Sequence, residues 1–359
     1  MYTQHIHICR DHGPFCGKYR WLEKYQYPEL NRFLSVLTNV SIIGNYGMDD
    51  GMSVDGNRCH RPGKDIVVPQ YLSQTSIQAH HDFVAGKQLG LEYRTYDSMF
   101  TGYVWPNRKP LEHMAKAEAY NYIHNHTEHY LFSAIIKYAF IPKPLDSKLY
   151  HPSTYYMYSP CGQASSCWSA RTYDGMSYYV IPILISTGAI NAFERYFNWT
   201  LFTCKMNLHT FESPLLSIQY RQKLRIEVDL VRSILEEYKQ EQATLYTNTY
   251  TAYNNKYINY SLYPTTPIIH NNFKLPLDKP SSTSISAALK KLLQTSIYKK
   301  LSHIKHIFPW FLYHETGEVG RPNAYRLITL EMWCQVAPAA VKPSTCSRPV
   351  NTISQLEYV

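Results

Sequence analysis

The chain has 359 residues, enough to bury a large core as one or two domains. Charged residues make up 18% and aromatics 14%, with 33 tyrosines, which excludes a disordered, charge-rich chain. A formal charge of +9 permits contact with a polyanion, but the cations are dispersed and form no packaging arm. The eight cysteines are too sparse for a disulfide scaffold in a chain this long. The opening Met1-Tyr-Thr-Gln-His5 lacks a basic-then-apolar leader pattern. The longest apolar run, Tyr178 to Ile185, is far short of a span, so no membrane partner is expected.

In chain order, the first thirty residues are dense in His, Cys and aromatics. Val36 to Ile43 alternates with period two and stops at Gly44, which reads as a strand. Ile66 to Val68 and Leu91 to Val104 read as further strands, with a turn at Trp105 to Pro110 between the latter and a helical composition at Glu112 to Tyr122. Tyr130 to Phe140 is apolar and ambiguous between helix and strand. Pro142 to Asp174 carries four prolines amid Tyr and Ser and reads as a loop excursion. Tyr178 to Ile185 reads as a core strand and Arg195 to Met206 as another. Arg221 to Gln242 is the best helix candidate, with Leu224, Val228, Val231, Leu235 and Tyr238 on one face. Thr244 to Pro280 is a second polar excursion, and a short helix is expected around Ala287 to Leu293 behind a Ser cluster. His303 to Tyr313, broken at Pro309, and Asn323 to Val336 then read as a closing strand pair, the latter by alternation of Ala324, Ile328, Leu330, Met332, Cys334 and Val336.

The N-terminal His5, His7, Cys9, His12 and Cys16 have the donor types and short spacings of a tetrahedral zinc site, although the paired-Cys, paired-His pattern is missing. No other cofactor is indicated. His80-His81-Asp82 has the form of a His-Asp dyad that activates water, but no Tyr follows it in Phe83-Val-Ala-Gly86, and the phospholipase reading is rejected. His124, His126 and His129 have no matching carboxylate and read as a solvated patch. No phosphate-cradling glycine loop, nucleophile elbow or paired Cys-x-x-Cys occurs, so the chain is expected not to be an enzyme.

Val36-Leu-Thr-Asn-Val-Ser-Ile-Ile-Gly-Asn-Tyr46 is similar to a core strand of small non-enveloped virus coat proteins. Phe308-Pro-Trp-Phe-Leu312 and Asn323 to Trp333 resemble their final strand pair, and the closest such family is the densovirus, parvovirus-type capsid protein. The resemblance implies a mainly β, antiparallel jelly-roll-like sandwich with long inter-strand loops and one or two helices. It implies self-assembly into an icosahedral shell around the viral genome, with nucleic acid held by sequence-independent phosphate contacts. The implied location is the virion, with the host cytoplasm or nucleus during assembly. Domain organisation on this reading is a segment 1–30, one β-rich domain 31–341 with excursions at 142–174 and 244–280, and a tail 342–359. Trp310, Tyr325 and Trp333 are then the expected fold-critical rings. The alternatives are a zinc-dependent nucleic-acid-binding or -processing protein that uses the N-terminal His/Cys cluster, and a helical coat protein of a double-stranded RNA virus.

Overall fold

A computed structural model describes residues 5–8, 41–45, 47–48, 65–84, 91–94, 96–99, 154–160, 170–185, 189–207, 214–257, 286–313 and 322–336. Its centre is a four-stranded sheet of β5 (Tyr96–Met99), β6 (Thr154–Pro160), β7 (Ile181–Ile185) and β9 (Cys204–Met206), in that spatial order and wholly parallel. A second parallel sheet joins β1 (His5–Ile8), β2 (Ser41–Gly44) and β4 (Ile66–Val67), while β3 (Gly47–Met48) pairs antiparallel with β8 (Ala189–Ile190).

Parallel strands need crossovers, and crossover helices cover both sheet faces. β6 obeys this rule with unusual residues. Thr154 to Ser159 are all buried, and two of their hydroxyls bond inside the protein: that of Tyr155 donates to the Leu91 carbonyl at 3.0 Å, and those of Ser159 and Thr172 are 2.6 Å apart. Successive side chains point to opposite faces. Met157 packs with Ala79, Tyr178 and Val180, under α1 (Gln74–Val84) and α2 (Ala170–Ser177). On the other face the Tyr156 hydroxyl donates to Glu227 Oε2 of α3 (Pro214–Tyr257) at 2.8 Å.

α1 and α2 run side by side in the same direction, since Ser76 donates to Asp174 at 2.8 Å and one turn later His80 lies against Tyr179. α2 sits so close to β6 that a Cβ on Gly175 would collide with the Met157 methyl. The helix stops in a Schellman arrangement, with Val180 N bonding the Gly175 carbonyl at 2.9 Å and Tyr179 N the Met176 carbonyl at 3.0 Å. The left-handed residue this requires is Tyr179 at φ 56°, where glycine is usual. Its ring is held parallel to His80, 5.9 Å away at 3°, which keeps a strained backbone in place.

α3 opens on Pro214, a favoured first helical residue, and its 44 residues extend about 66 Å. Leu224, Val228, Val231 and Leu235 are buried at helical spacing, so it contains the helix expected over 221–242. α4 (Ala287–Gln294) is capped by Ser286, which accepts from Leu289 N. Thr295 then ends α4 and starts α5 (Ser296–Ile307): its hydroxyl donates to the Leu292 carbonyl at 2.7 Å and accepts from Tyr298 N at 3.2 Å. A 3₁₀ turn, Phe308–Phe311, leads toward α6 (Ala324–Val336), where Asn323 caps by accepting from Arg326 N at 3.0 Å.

The mainly β, antiparallel jelly roll is therefore incorrect: the described chain is rich in helix, and its main sheet is short and parallel. The expected closing strand pair is helical. In α5 the buried residues are Ile297, Tyr298, Leu301, Ile304 and Ile307, and in α6 they are Ala324, Leu327, Leu330, Glu331 and Cys334, both near a 3.6 period. A period-two split of 323–336 puts Leu327 on the polar side, yet that residue is fully buried. Within the segment expected as a strand over 195–206, only 204–206 is extended. The helix expected at 112–122, the apolar run 130–140 and residues 36–40 lie outside the described residues. β6 and the start of α2 fall within the excursion expected at 142–174, and the last part of α3 enters the one at 244–280.

Trp310 is buried, whereas Tyr325 and Trp333 are half exposed on α6. Trp310→Ala is expected to cost about 3–5 kcal/mol, and Trp333→Ala no more than about 1 kcal/mol. Urea denaturation of the two variants checks this, and equal losses would contradict the placement of α6.

Candidate nucleic-acid interface

The most polar interior of the described chain lies where α3 crosses β5 and β6. Arg94, almost wholly buried, donates from one terminal nitrogen to the Thr154 carbonyl at 2.8 Å, and its Nε finds no hydrogen-bond partner among the described residues. Burial lowers its guanidinium to about 10, with Tyr155 and Glu92 opposing the shift. Asp97, buried on β5, pairs with Arg232 of α3 at 2.8 Å. The guanidinium carbons of Arg94 and Arg232 lie 5.7 and 5.5 Å from the Tyr155 ring centroid. Burial pushes the Glu92 carboxyl up, while its own backbone, Lys239 and Arg94 pull it back.

Two arginines against one ring are candidates for an oxyanion. Here, however, Arg232 also reaches Asp229 at 3.5 Å, and a phosphate would have to displace both carboxylates. The geometry makes this cluster a clamp that fixes α3 on the sheet.

A second internal group joins the same helix to β9. Tyr156 donates to Glu227, and Cys204 lies beside Tyr220. Burial raises the Cys204 thiol and outweighs the pull of Lys300, so the sulfur stays protonated and is a poor nucleophile. Burial likewise pushes the Tyr156 and Tyr220 phenols far up. Among the described residues, no group of three or more His, Cys, Asp or Glu could hold a metal ion. No described helix is long and apolar enough to cross a membrane.

The surface with charge to spare is that of α4 and α5. From Asp278 to Glu315 the sequence has no acidic residue between them, yet it carries Lys290, Lys291, Lys299, Lys300 and Lys305 with His303 and His306. Three of these cations are engaged. Lys291 pairs with Glu237 at 2.7 Å, Lys300 donates to the Thr200 and Thr203 carbonyls at 2.9 and 2.6 Å, and Lys305 has interactions of its own. Lys290, Lys299 and His306 are exposed. Lys299, His303 and His306 recur at i, i+4 and i+7, on one side of α5. Ser302 O can only accept, so His306 Nδ1, 2.6 Å away, donates to it. His303 sits below its ordinary range, first through burial and then through His306 and Lys300, the mark of a locally positive surface.

The residues expected to carry function from sequence do not converge here. His5 and His7 lie on β1, while Cys9, His12 and Cys16 are outside the described residues. His80 is buried against Tyr179 and Phe308, whereas His81 is exposed and Asp82 accepts from Gln78 at 2.9 Å. The acid-free stretch behind the basic surface is visible in sequence. It escapes a search for basic runs because its cations are spaced by the helix rather than run together.

Residues 162–335, just under half of the chain, match the family model for the helical domain of 5-hmdU DNA kinases. The match starts just before α2 and ends in α6, so it takes in β7 to β9 and the helices α2 to α6 but not α1. No curated protein matches the chain. A match to a kinase domain overturns the capsid reading and with it the densovirus resemblance, the icosahedral shell and the expectation of a non-enzyme. Self-assembly into a shell has no support in it.

Arg232→Met leaves Asp97 buried without its guanidinium, and is expected to cost on the order of 3 kcal/mol at neutral pH. Chemical denaturation measures this. An unchanged midpoint would contradict the clamp.

Proposed function

We propose that this chain is a DNA-modifying enzyme, and that its helical layer contributes the surface on which the nucleic acid lies. The match of 162–335 to the helical domain of 5-hmdU DNA kinases carries this reading. The basic side of α5 supports it physically. Cations with no acid between them neutralise phosphates, and the released counterions make such binding sequence-independent and sensitive to salt. In finer terms, the reaction is phosphoryl transfer to the hydroxymethyl group of 5-hydroxymethyluracil in DNA. The hydroxyl oxygen attacks the γ-phosphorus of a nucleoside triphosphate, and a new P–O bond forms. The bond from that phosphorus to the bridging oxygen breaks, the diphosphate leaves, and the hydroxyl proton is lost to a base or to water. Within this scheme α5 supplies binding and orientation, and the buried clamp keeps α3 from shifting under load.

The full chain is incubated with a γ-labelled nucleoside triphosphate, a divalent cation and DNA containing either 5-hydroxymethyluracil or thymine. Label is expected in the modified DNA alone. No label in either would contradict kinase activity, and equal label in both would contradict recognition of the base.

The depressed His303 gives a second expectation. A phosphate seated near it offsets the repulsion from His306 and Lys300 and favours the imidazolium, so binding takes up a proton. DNA affinity is then expected to rise as pH falls from 8 toward and below 6.5, and His303→Gln to weaken that dependence. A wild-type affinity that is flat with pH at constant ionic strength would contradict it.

A further inference from the structure

Away from the lysines of α5, the described surface carries a group of aromatic rings that the fold does not use as core. Tyr71, Tyr325 and Trp333 are 56%, 55% and 52% exposed. They are not scattered. Tyr313 stands between Tyr71 and Tyr325, with ring centroids 6.2 Å from the first at 28° and 5.1 Å from the second at 71°. Its hydroxyl donates to the Pro69 carbonyl at 2.7 Å, which fixes the middle ring and so the pair around it. Trp333 follows Tyr325 by eight residues on α6, about 12 Å farther along the axis.

Exposed rings in a row are costly to leave in water unless something covers them, and the charge around them narrows what that is. The only carboxylate of α6, Glu331, is turned into the protein, where it accepts from Arg195 at 2.9 Å. Arg326 stays at the surface edge with its guanidinium carbon 5.7 Å from the Trp310 ring centroid. The outer side of α6 therefore offers flat π-faces and a cation, with no described acid among them. Across the described stretches 286–313 and 322–336 the sequence holds six Lys and Arg against that one buried acid. A ligand that is both anionic and planar satisfies these features together, and an acidic partner without rings satisfies only the charge.

We infer that Tyr71, Tyr313, Tyr325 and Trp333 form a stacking surface for unpaired bases of single-stranded DNA, with Arg326 beside it for the backbone. Aromatic rings stack on any base, so such a surface is tolerant of sequence but selects unpaired over paired strands, whose faces are already covered. The inference rests on the DNA reading above and deepens it: an enzyme acting on a base inside a duplex gains from holding a strand that has been opened.

The test measures binding of the full chain to a fluorescein-labelled 20-nucleotide oligothymidine and to a hairpin duplex of equal length, by anisotropy. The variants are Tyr325→Ala with Trp333→Ala, and Tyr325→Phe with Trp333→Phe, each checked for an unchanged denaturation midpoint. The alanine pair is expected to lose at least about tenfold in affinity for the single strand and less than about twofold for the duplex. The phenylalanine pair is expected to retain most of the single-strand affinity. An alanine pair that binds the single strand like wild type overturns the stacking surface and leaves the DNA reading standing. Equal losses on both substrates overturn it too, as does a wild-type dimer that the alanine pair abolishes, or binding to anionic vesicles in preference to the oligonucleotide. Wild-type protein that binds neither DNA removes the stacking surface together with the reading on which it rests.

Discussion

The packing around one ring, Phe311, fixes the corner between α5 and α6 against the sheet connections. Tyr173 of α2 and the rings of Phe193, Phe197, Trp199 and Phe202 lie with centroids 5.3 to 6.5 Å from it. Those neighbours come from a crossover helix and from the segment between β7 and β9, so one side chain ties the sheet connections to the corner between α5 and α6. Aromatic pairs at such distances add to the energy of area burial and are directional, which favours one docking angle. The Trp199 indole donates to the Ala192 carbonyl at 2.9 Å, so the largest ring of the cluster is also satisfied as a donor. With that corner fixed, the sides of α5 and α6 that look outward are fixed as well. The basic side of α5 and the aromatic side of α6 follow from a packing constraint in the interior.

The charged interior has a different role. Arg232 with Asp97, and Arg195 with Glu331, each join elements far apart in sequence, α3 to β5 and α6 to the turn near 195. Burial raises the Glu331 carboxyl, and Arg195 and Tyr196 counter it, so the ion pair is retained at a desolvation cost. Such pairs contribute little net stability compared with a well-packed apolar alternative. They do penalise misregistered packing, since a helix shifted by one turn would strand a buried charge. A surface that must present cations in a set order benefits from that restriction.

Some of this is legible in sequence. The helix at 221–242 is readable because Leu224, Val228, Val231 and Leu235 repeat over several turns, and α4 because serines precede its apolar residues. α5 and α6 read wrongly as strands because short windows of Ile, Leu, Thr and aromatics satisfy period two and period 3.6 about equally well. Only a window opened back to Ile297 and Leu301 separates the two. β6 is hidden for another reason. A central parallel strand normally reads as a continuous aliphatic run, and here Tyr155, Tyr156 and Tyr158 take that place, the first two with hydroxyls bonded to partners remote in sequence. Tyrosines among prolines look like loop until those partners are known. The basic surface is present in composition as an absence of acid, a signal that a search for consecutive cations passes over.

On the proposed reading, DNA binding depends first on α4 and α5 presenting Lys290 and Lys299 to phosphate. The direct measurement is the affinity of the full chain for a short DNA across a salt series, with wild type set beside Lys299→Ala and Lys290→Ala. Binding that falls steeply with salt, and whose logarithmic slope shrinks by about one for each phosphate no longer neutralised, is the predicted result. Binding that is absent at low salt, or a slope that neither substitution changes, would contradict it.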